Sequence, residues 1–209
     1  MELLKLLSSK QGDTTEKSNR IVAELCIKNP KLIAEISSGF INEDKKLQSD
    51  SIEVFTMIAE EHPDLIVPYA DKILPLLANK QTKTRWEAVH TLSYIADKVP
   101  EIIGSVLPEL QYLVEKDNST IVRDYTLDTI ANYAKINKES AIKAFAILKS
   151  ALALWEEKHA KQVFKGFNHI IDINPSYKAE IGKMAQPYLG AKKNIVAKEA
   201  ARIIKKTEK

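Results

Sequence analysis

Across residues 82–99 the apolar positions are Ala88, Val89, Leu92, Ile95, Ala96 and Val99. That is the i, i+3, i+4, i+7 stripe of an amphipathic helix, with the polar residues on the opposite side. Residues 118–136 repeat it with Val122, Thr126, Leu127, Ile130, Tyr133 and Ala134. A shorter apolar stretch precedes each long one and often carries a proline near its middle: Leu74-Pro75-Leu76-Leu77, Leu107-Pro108-Glu109-Leu110 and Gln186-Pro187-Tyr188-Leu189. Two to four polar residues separate the paired stretches, as in an αα-hairpin.

The hairpins recur. An apolar-small pair followed by a helix stop appears at Ile58-Ala59 before Pro63, Ile95-Ala96 before Pro100, Tyr133-Ala134 before Lys138 and Ile170-Ile171 before Pro175. The spacings are 37, 38 and 37 residues. Looser copies lie 33 residues earlier, where Pro30 closes a helix containing Cys26, and 33 residues later, at Ile203-Ile204. Proline cannot continue a helix and moves its predecessor out of helical angles, so each unit ends at one phase. A hairpin this small cannot bury its apolar face alone and must cover its neighbour. The pattern predicts an all-α, right-handed superhelix of six helical pairs, with units at 1–29, 30–63, 64–100, 101–138, 139–175 and 176–209.

Composition agrees with helices joined by short turns. Six glycines and eight prolines in 209 residues are few, which argues against sandwiches, barrels and Gly-rich nucleotide folds. Lys and Arg number 31 and Asp and Glu 28, for a net charge of +3. The balance is uneven: residues 190–209 hold seven basic residues and two acids, +5, and the preceding 189 residues hold −2. One cysteine cannot form an internal disulfide, which suits a reducing cytoplasm. The N-terminal stretch does not have the form of a signal peptide, and no apolar run is long enough to span a membrane.

The form Leu-Pro-x-Leu, an acid in the turn, then Val-Arg opening a second helix, resembles the HEAT repeat. The closest copy runs from Val106-Leu107-Pro108 through Asp117 to Val122-Arg123; the preceding copy has Leu74-Pro75, Asn79 and Thr84-Arg85. The resemblance covers the whole chain. It implies an outer first helix, a second helix lining the concave side, and an Asp–Arg turn ladder intact only at Asp117/Arg123, since Asn79 faces Arg85 and Gln48 and Ala160 stand in the arginine position. Armadillo arrays would need a third helix per unit, and tetratricopeptide arrays a strict 34-residue period.

Opposite the apolar stripe, the second helix of the third unit carries Trp86, His90, Tyr94 and Asp97. Shifting by the repeat gives Ser49, Glu53 and Met57; Asp124, Asp128 and Asn132; Lys161, Lys165 and His169; and Asn194, Lys198 and Arg202. Exposed aromatics on a polar face are the usual material of binding hot spots, so Trp86, His90 and Tyr94 are expected to form one accessible patch. Adjacent basic helices repel one another, and a negatively charged partner would relieve that repulsion. Lys161, Lys165, Lys198 and Arg202 are therefore expected to meet an acidic peptide or protein, beside the acids Asp124 and Asp128.

Cys26 is expected in the core. His62 precedes Pro63 in a turn and His159 opens a helix, neither at metal-ligand spacing. The nucleotide, zinc-protease and serine-hydrolase motifs are absent from the sequence. The reading is a non-enzymatic scaffold for a partner protein or peptide, without cofactor, metal or membrane. The alternative is nucleic-acid binding. Some HEAT-like proteins are DNA glycosylases for alkylated bases, with a tryptophan and, one turn on, an aspartate on a concave helix; here Trp86 is followed by His90, and Asp124 and Asp128 would repel a phosphate backbone.

Overall fold

The computed structural model describes residues 2–208; Met1 and Lys209, the last of the C-terminal basic residues, lie outside the described residues. Every regular element among the described residues is helical. The longer helices are α1 (Lys17–Lys28), α2 (Lys45–Glu61), α3 (Thr82–Ile95), α4 (Leu107–Lys116), α5 (Thr120–Tyr133), α6 (Lys138–Leu152), α7 (Ala160–Ile173), α8 (Lys178–Ala185) and α9 (Asn194–Thr207). The chain divides into two compact units, Met1–Ile102 and Ile103–Lys209.

In the first unit α1 packs on α2 and α2 on α3. The predicted stripe of α3 is the buried one: Ala88, Val89, Leu92, Ile95 and Ala96 are all sealed from solvent. The Phe55 ring of α2 lies edge-on to Phe40 at 4.7 Å and to Tyr69 at 5.5 Å, a favoured arrangement for aromatic pairs. Two buried hydroxyl pairs join α2 to α3: Ser49 Oγ to Thr84 Oγ1 at 2.7 Å and Thr56 Oγ1 to Thr91 Oγ1 at 2.8 Å. Cys26 is buried in α1, and desolvation pushes its thiol up to about 11.

In the second unit α7 lies against α5, α6 and α9. Val122, Thr126, Leu127, Ile130, Tyr133 and Ala134 are buried as the stripe requires. Gly166 permits a close approach of neighbouring helices. A Cβ there would stand 2.4 Å from Leu148 Cδ1 and 3.2 Å from Ala131 Cβ.

The helix boundaries have local causes. Asn29, His62 and Asn174 close α1, α2 and α7 with nearly the same backbone angles, φ near −136° and ψ between 63° and 88°, each followed by a proline that starts a 3-10 turn. The clash between proline Cδ and the preceding residue excludes helical angles there. At the helix starts Asp44, Ser119 and Asn137 accept backbone N–H groups from Leu47, Val122 and Ser140 respectively, satisfying donors that the first turn leaves free.

At the turns expected to carry the Asp–Arg ladder, side chains cap the main chain, and Asp117 favours the charged Arg123 through space. Asn42, Asn79 and Asp117 each accept, through the side-chain oxygen, the backbone N–H two residues on. Gln48, Arg85 and Arg123 reach back to main-chain carbonyls: Gln48 to Phe40, Arg85 to Asn79 at 2.8 Å, and Arg123 to Asp117. Asn79 Nδ2 then donates to Gln48 Oε1 at 2.8 Å. The carbonyl caps recur at all three turns, and glutamine supplies one as well as arginine does.

Candidate functional site

The polar side of α1, α2 and α3 forms a slot of about 180 Å³. Trp86, Glu87 and His90 come from α3, Thr56, Met57 and Glu60 from the last turns of α2. Glu53 completes the α2 wall, and Glu16 and Arg20 border the slot at α1. Trp86 is half-buried, with its indole Nε1 enclosed and without an acceptor. Such unsatisfied buried donors are uncommon.

The slot is rich in carboxylates. Glu53 is buried and held by Asn19 Nδ2 at 2.6 Å and Lys83 Nζ at 3.0 Å. Glu16 lies 3.6 Å from Arg20 Nη2. Glu60 is exposed and makes no ion pair among the described residues. Glu87 is 4% exposed, and its nearest ring nitrogen is His90 Nδ1 at 4.0 Å. Burial raises the Glu87 carboxyl to about 7, and Glu53 and Glu16 add to the rise. Burial has the opposite effect on the His90 imidazole, lowering it to about 4. His90 is therefore neutral near pH 7 and is no counter-ion to Glu87.

Of the expected aromatic patch, His90 Nε2 meets Tyr94 Oη at 3.1 Å with ring centroids 5.1 Å apart. All three residues are half-buried. Trp86 and His90 share the slot with Glu87, which the column of residues at helical spacing passed over. Ser49 and Glu53, expected on the open surface, are buried by contacts with Thr84, Asn19 and Lys83.

The expected residues of the second unit form two local networks. Arg123, 2% exposed, donates from Nε to His159 Nε2 at 2.9 Å and from Nη2 to Thr120 Oγ1 at 3.1 Å. Its guanidinium carbon sits 3.8 Å from the centroid of the Trp155 ring, whose Nε1 donates to the Val114 carbonyl at 2.9 Å. Because His159 Nε2 accepts, the ring proton is on Nδ1, and it is donated to Asp124 Oδ1 at 2.6 Å. Asp124 is thus partnered within its own unit. His159 opens α7, as expected, but as a buried bridge between Arg123 and Asp124.

The second network offsets the basic ridge. Lys165 pairs with Asp128 at 2.7 Å, Lys206 with Asp172 at 2.6 Å, and Arg202 approaches Glu199 at 3.9 Å. Lys161 and Lys198 are exposed and make no ion pair among the described residues. Lys161, Lys165 and Arg202 line a recess of about 450 Å³ with His169, whose imidazole burial lowers to about 4. Lys198 is absent from that lining. No cluster of three metal-ligating side chains occurs among the described residues, and no helix there is long and apolar enough to cross a membrane.

The sequence matches no protein-family model, and no curated protein matches it either. Solved structures do. An engineered protein aligns at TM-score 0.75 and 18% identity over 99% of this chain and 95% of its own. A designed armadillo repeat protein aligns at TM-score 0.74 and 17% identity, covering 99% and 98%. A second designed armadillo repeat protein, crystallised in complex with the peptide (KR)4, aligns at TM-score 0.76 and 16% identity, again over 99% and 98%. At such identities the likeness concerns the fold: the chain is an all-α solenoid of armadillo-like architecture along its whole length.

Proposed function

We propose that this chain is a non-enzymatic peptide-binding scaffold whose first unit receives a basic, extended segment of a partner protein. The observation that carries the reading is the slot at Trp86. Glu16, Glu53, Glu60 and Glu87 surround a half-buried indole, and the two cations beside them, Arg20 and Lys83, are already turned to Glu16 and Glu53. A lysine or arginine side chain supplies the missing charge, and its aliphatic stem fits against Trp86 and Met57. One protein of the same fold is described in complex with (KR)4, which supports the choice of a basic segment.

The reading favours a basic over an acidic ligand because both cations at the slot are already paired, and in the second unit Lys165 and Arg202 of the ridge face Asp128 and Glu199. A phosphate backbone would meet the exposed carboxylate of Glu60, with both slot cations already turned to other acids. The hairpins are read as HEAT-type, with Leu107-Pro108 opening α4 and Arg123 capping the turn that follows. Free, buried Cys26 suits a reducing compartment such as the cytoplasm.

Fluorescence anisotropy with labelled (Lys-Arg)4 and (Glu-Asp)4 peptides tests the reading. The basic peptide should bind, weaken as salt rises, and weaken at least fivefold in Glu60→Lys. Equal affinity for both peptides, or a Glu60→Lys variant indistinguishable from wild type, would refute it.

A further inference from the structure

The slot has an unusual electrostatic state before any ligand arrives. Glu87 is one of its lining residues, 4% exposed, with the Thr56 hydroxyl as its hydrogen-bond neighbour. The charged groups around it come from three helices: Glu16 and Arg20 at α1, Glu53 and Glu60 on α2, Lys83 and His90 on α3 itself. Lys83 Nζ is 3.0 Å from Glu53, Arg20 Nη2 is 3.6 Å from Glu16, and the His90 ring is neutral with Nε2 against Tyr94. Lys83 and Arg20 thus sit closest to other acids; Lys83 offsets the Glu87 charge through space, but burial and Glu53 outweigh it. A buried carboxyl so placed holds its proton, and an arriving cation reverses the preference.

We infer that Glu87 is a proton-linked receptor for one guanidinium or ammonium side chain: the ligand's cation enters, the Glu87 proton leaves, and affinity therefore rises with pH. The inference rests on the basic-segment reading above and adds a regulatory property to the same slot. The free carboxyl titrates at about 7. If the bound carboxyl returns to the ordinary range, Kd at pH 6 is about tenfold that at pH 8. The dependence flattens above the free value, where Glu87 is already ionised.

The experiment uses an acetylated, amidated Gly-Arg repeat peptide, which has no group titrating between pH 5.5 and 8.5. Anisotropy gives Kd for wild type and Glu87→Gln at pH 6 and pH 8. Wild type should bind about tenfold more weakly at pH 6, and Glu87→Gln should bind equally at both. A wild type with no pH dependence, or a variant that keeps the tenfold change, overturns proton linkage while leaving basic-segment binding in place. Failure of the peptide to bind at either pH removes both. If Glu87→Gln does not fold, the wild-type Glu87 carboxyl is followed by carbon NMR with and without peptide. Its midpoint should fall on saturation, and an unmoved midpoint overturns the inference.

Discussion

Replacing Arg123 by methionine keeps the aliphatic stem and removes the guanidinium. Two buried acceptors, the Asp117 carbonyl and His159 Nε2, would lose their donor, and Thr120 would lose a partner. Leaving a buried acceptor unsatisfied costs about 1–3 kcal/mol each. The stacking on Trp155 adds about 0.5–2 kcal/mol. These terms are not additive, and the expected loss is about 3–5 kcal/mol. Urea unfolding should be followed through Trp155 fluorescence in a Trp86→Phe background, since these are the two tryptophans of the chain. With a slope of about 1–3 kcal/mol per molar, the midpoint should fall by about 1 M or more. Arg85→Met is the control, because Arg85 makes the same carbonyl cap in a more exposed setting; it should cost about 1 kcal/mol. Equal, small losses for the two variants would show that the guanidinium does not hold the turn.

Gly166→Ala should cost about 1–3 kcal/mol, because its methyl would overlap Leu148 and crowd Ala131 in a closed core; a neutral or stabilising result in chemical unfolding would refute the close approach. Glu87 gives a pH-dependent stability. Its folded carboxyl titrates near 7 against a reference value of 4.5, so the folded chain binds the extra proton between those values and loses stability as pH rises through them. Glu87→Gln should therefore exceed wild type by about 2–3 kcal/mol at pH 8, with the gap closing towards pH 5; thermal unfolding at both pH values reads it, and a gap that does not change with pH would refute the shift.

The periodic elements were readable from the chain because helical spacing and proline positions are local properties. Ala88, Leu92 and Ile95 announce a buried face without knowledge of any neighbour, and Pro63 ends a helix wherever that helix lies. The site was less readable because it depends on contacts between distant residues. Ser49 and Glu53 occupy polar positions on α2 and become buried only when α1 and α3 bring Asn19, Lys83 and Thr84 against them. Glu87 adjoins Trp86 in the chain, yet its importance comes from desolvation by residues of two other helices. The charge of Arg123 suggests a carboxylate nearby, and Asp117 is one, but no local pattern names its other acceptor, an imidazole 36 residues away.

The paired hydroxyls between α2 and α3 bear on how such a chain changes over generations. Ser49 and Thr56 are seven residues apart, as are their partners Thr84 and Thr91. Two rungs, two helical turns apart, both close at one axial alignment. Sliding α3 by one turn would separate both hydroxyl pairs at once. A duplicated or recombined repeat inserted beside α2 would inherit the general apolar complementarity, but it would dock in register only if it carried hydroxyls at the same two places. Exchange of a whole hairpin in the first unit therefore has to restore two buried hydroxyl contacts together.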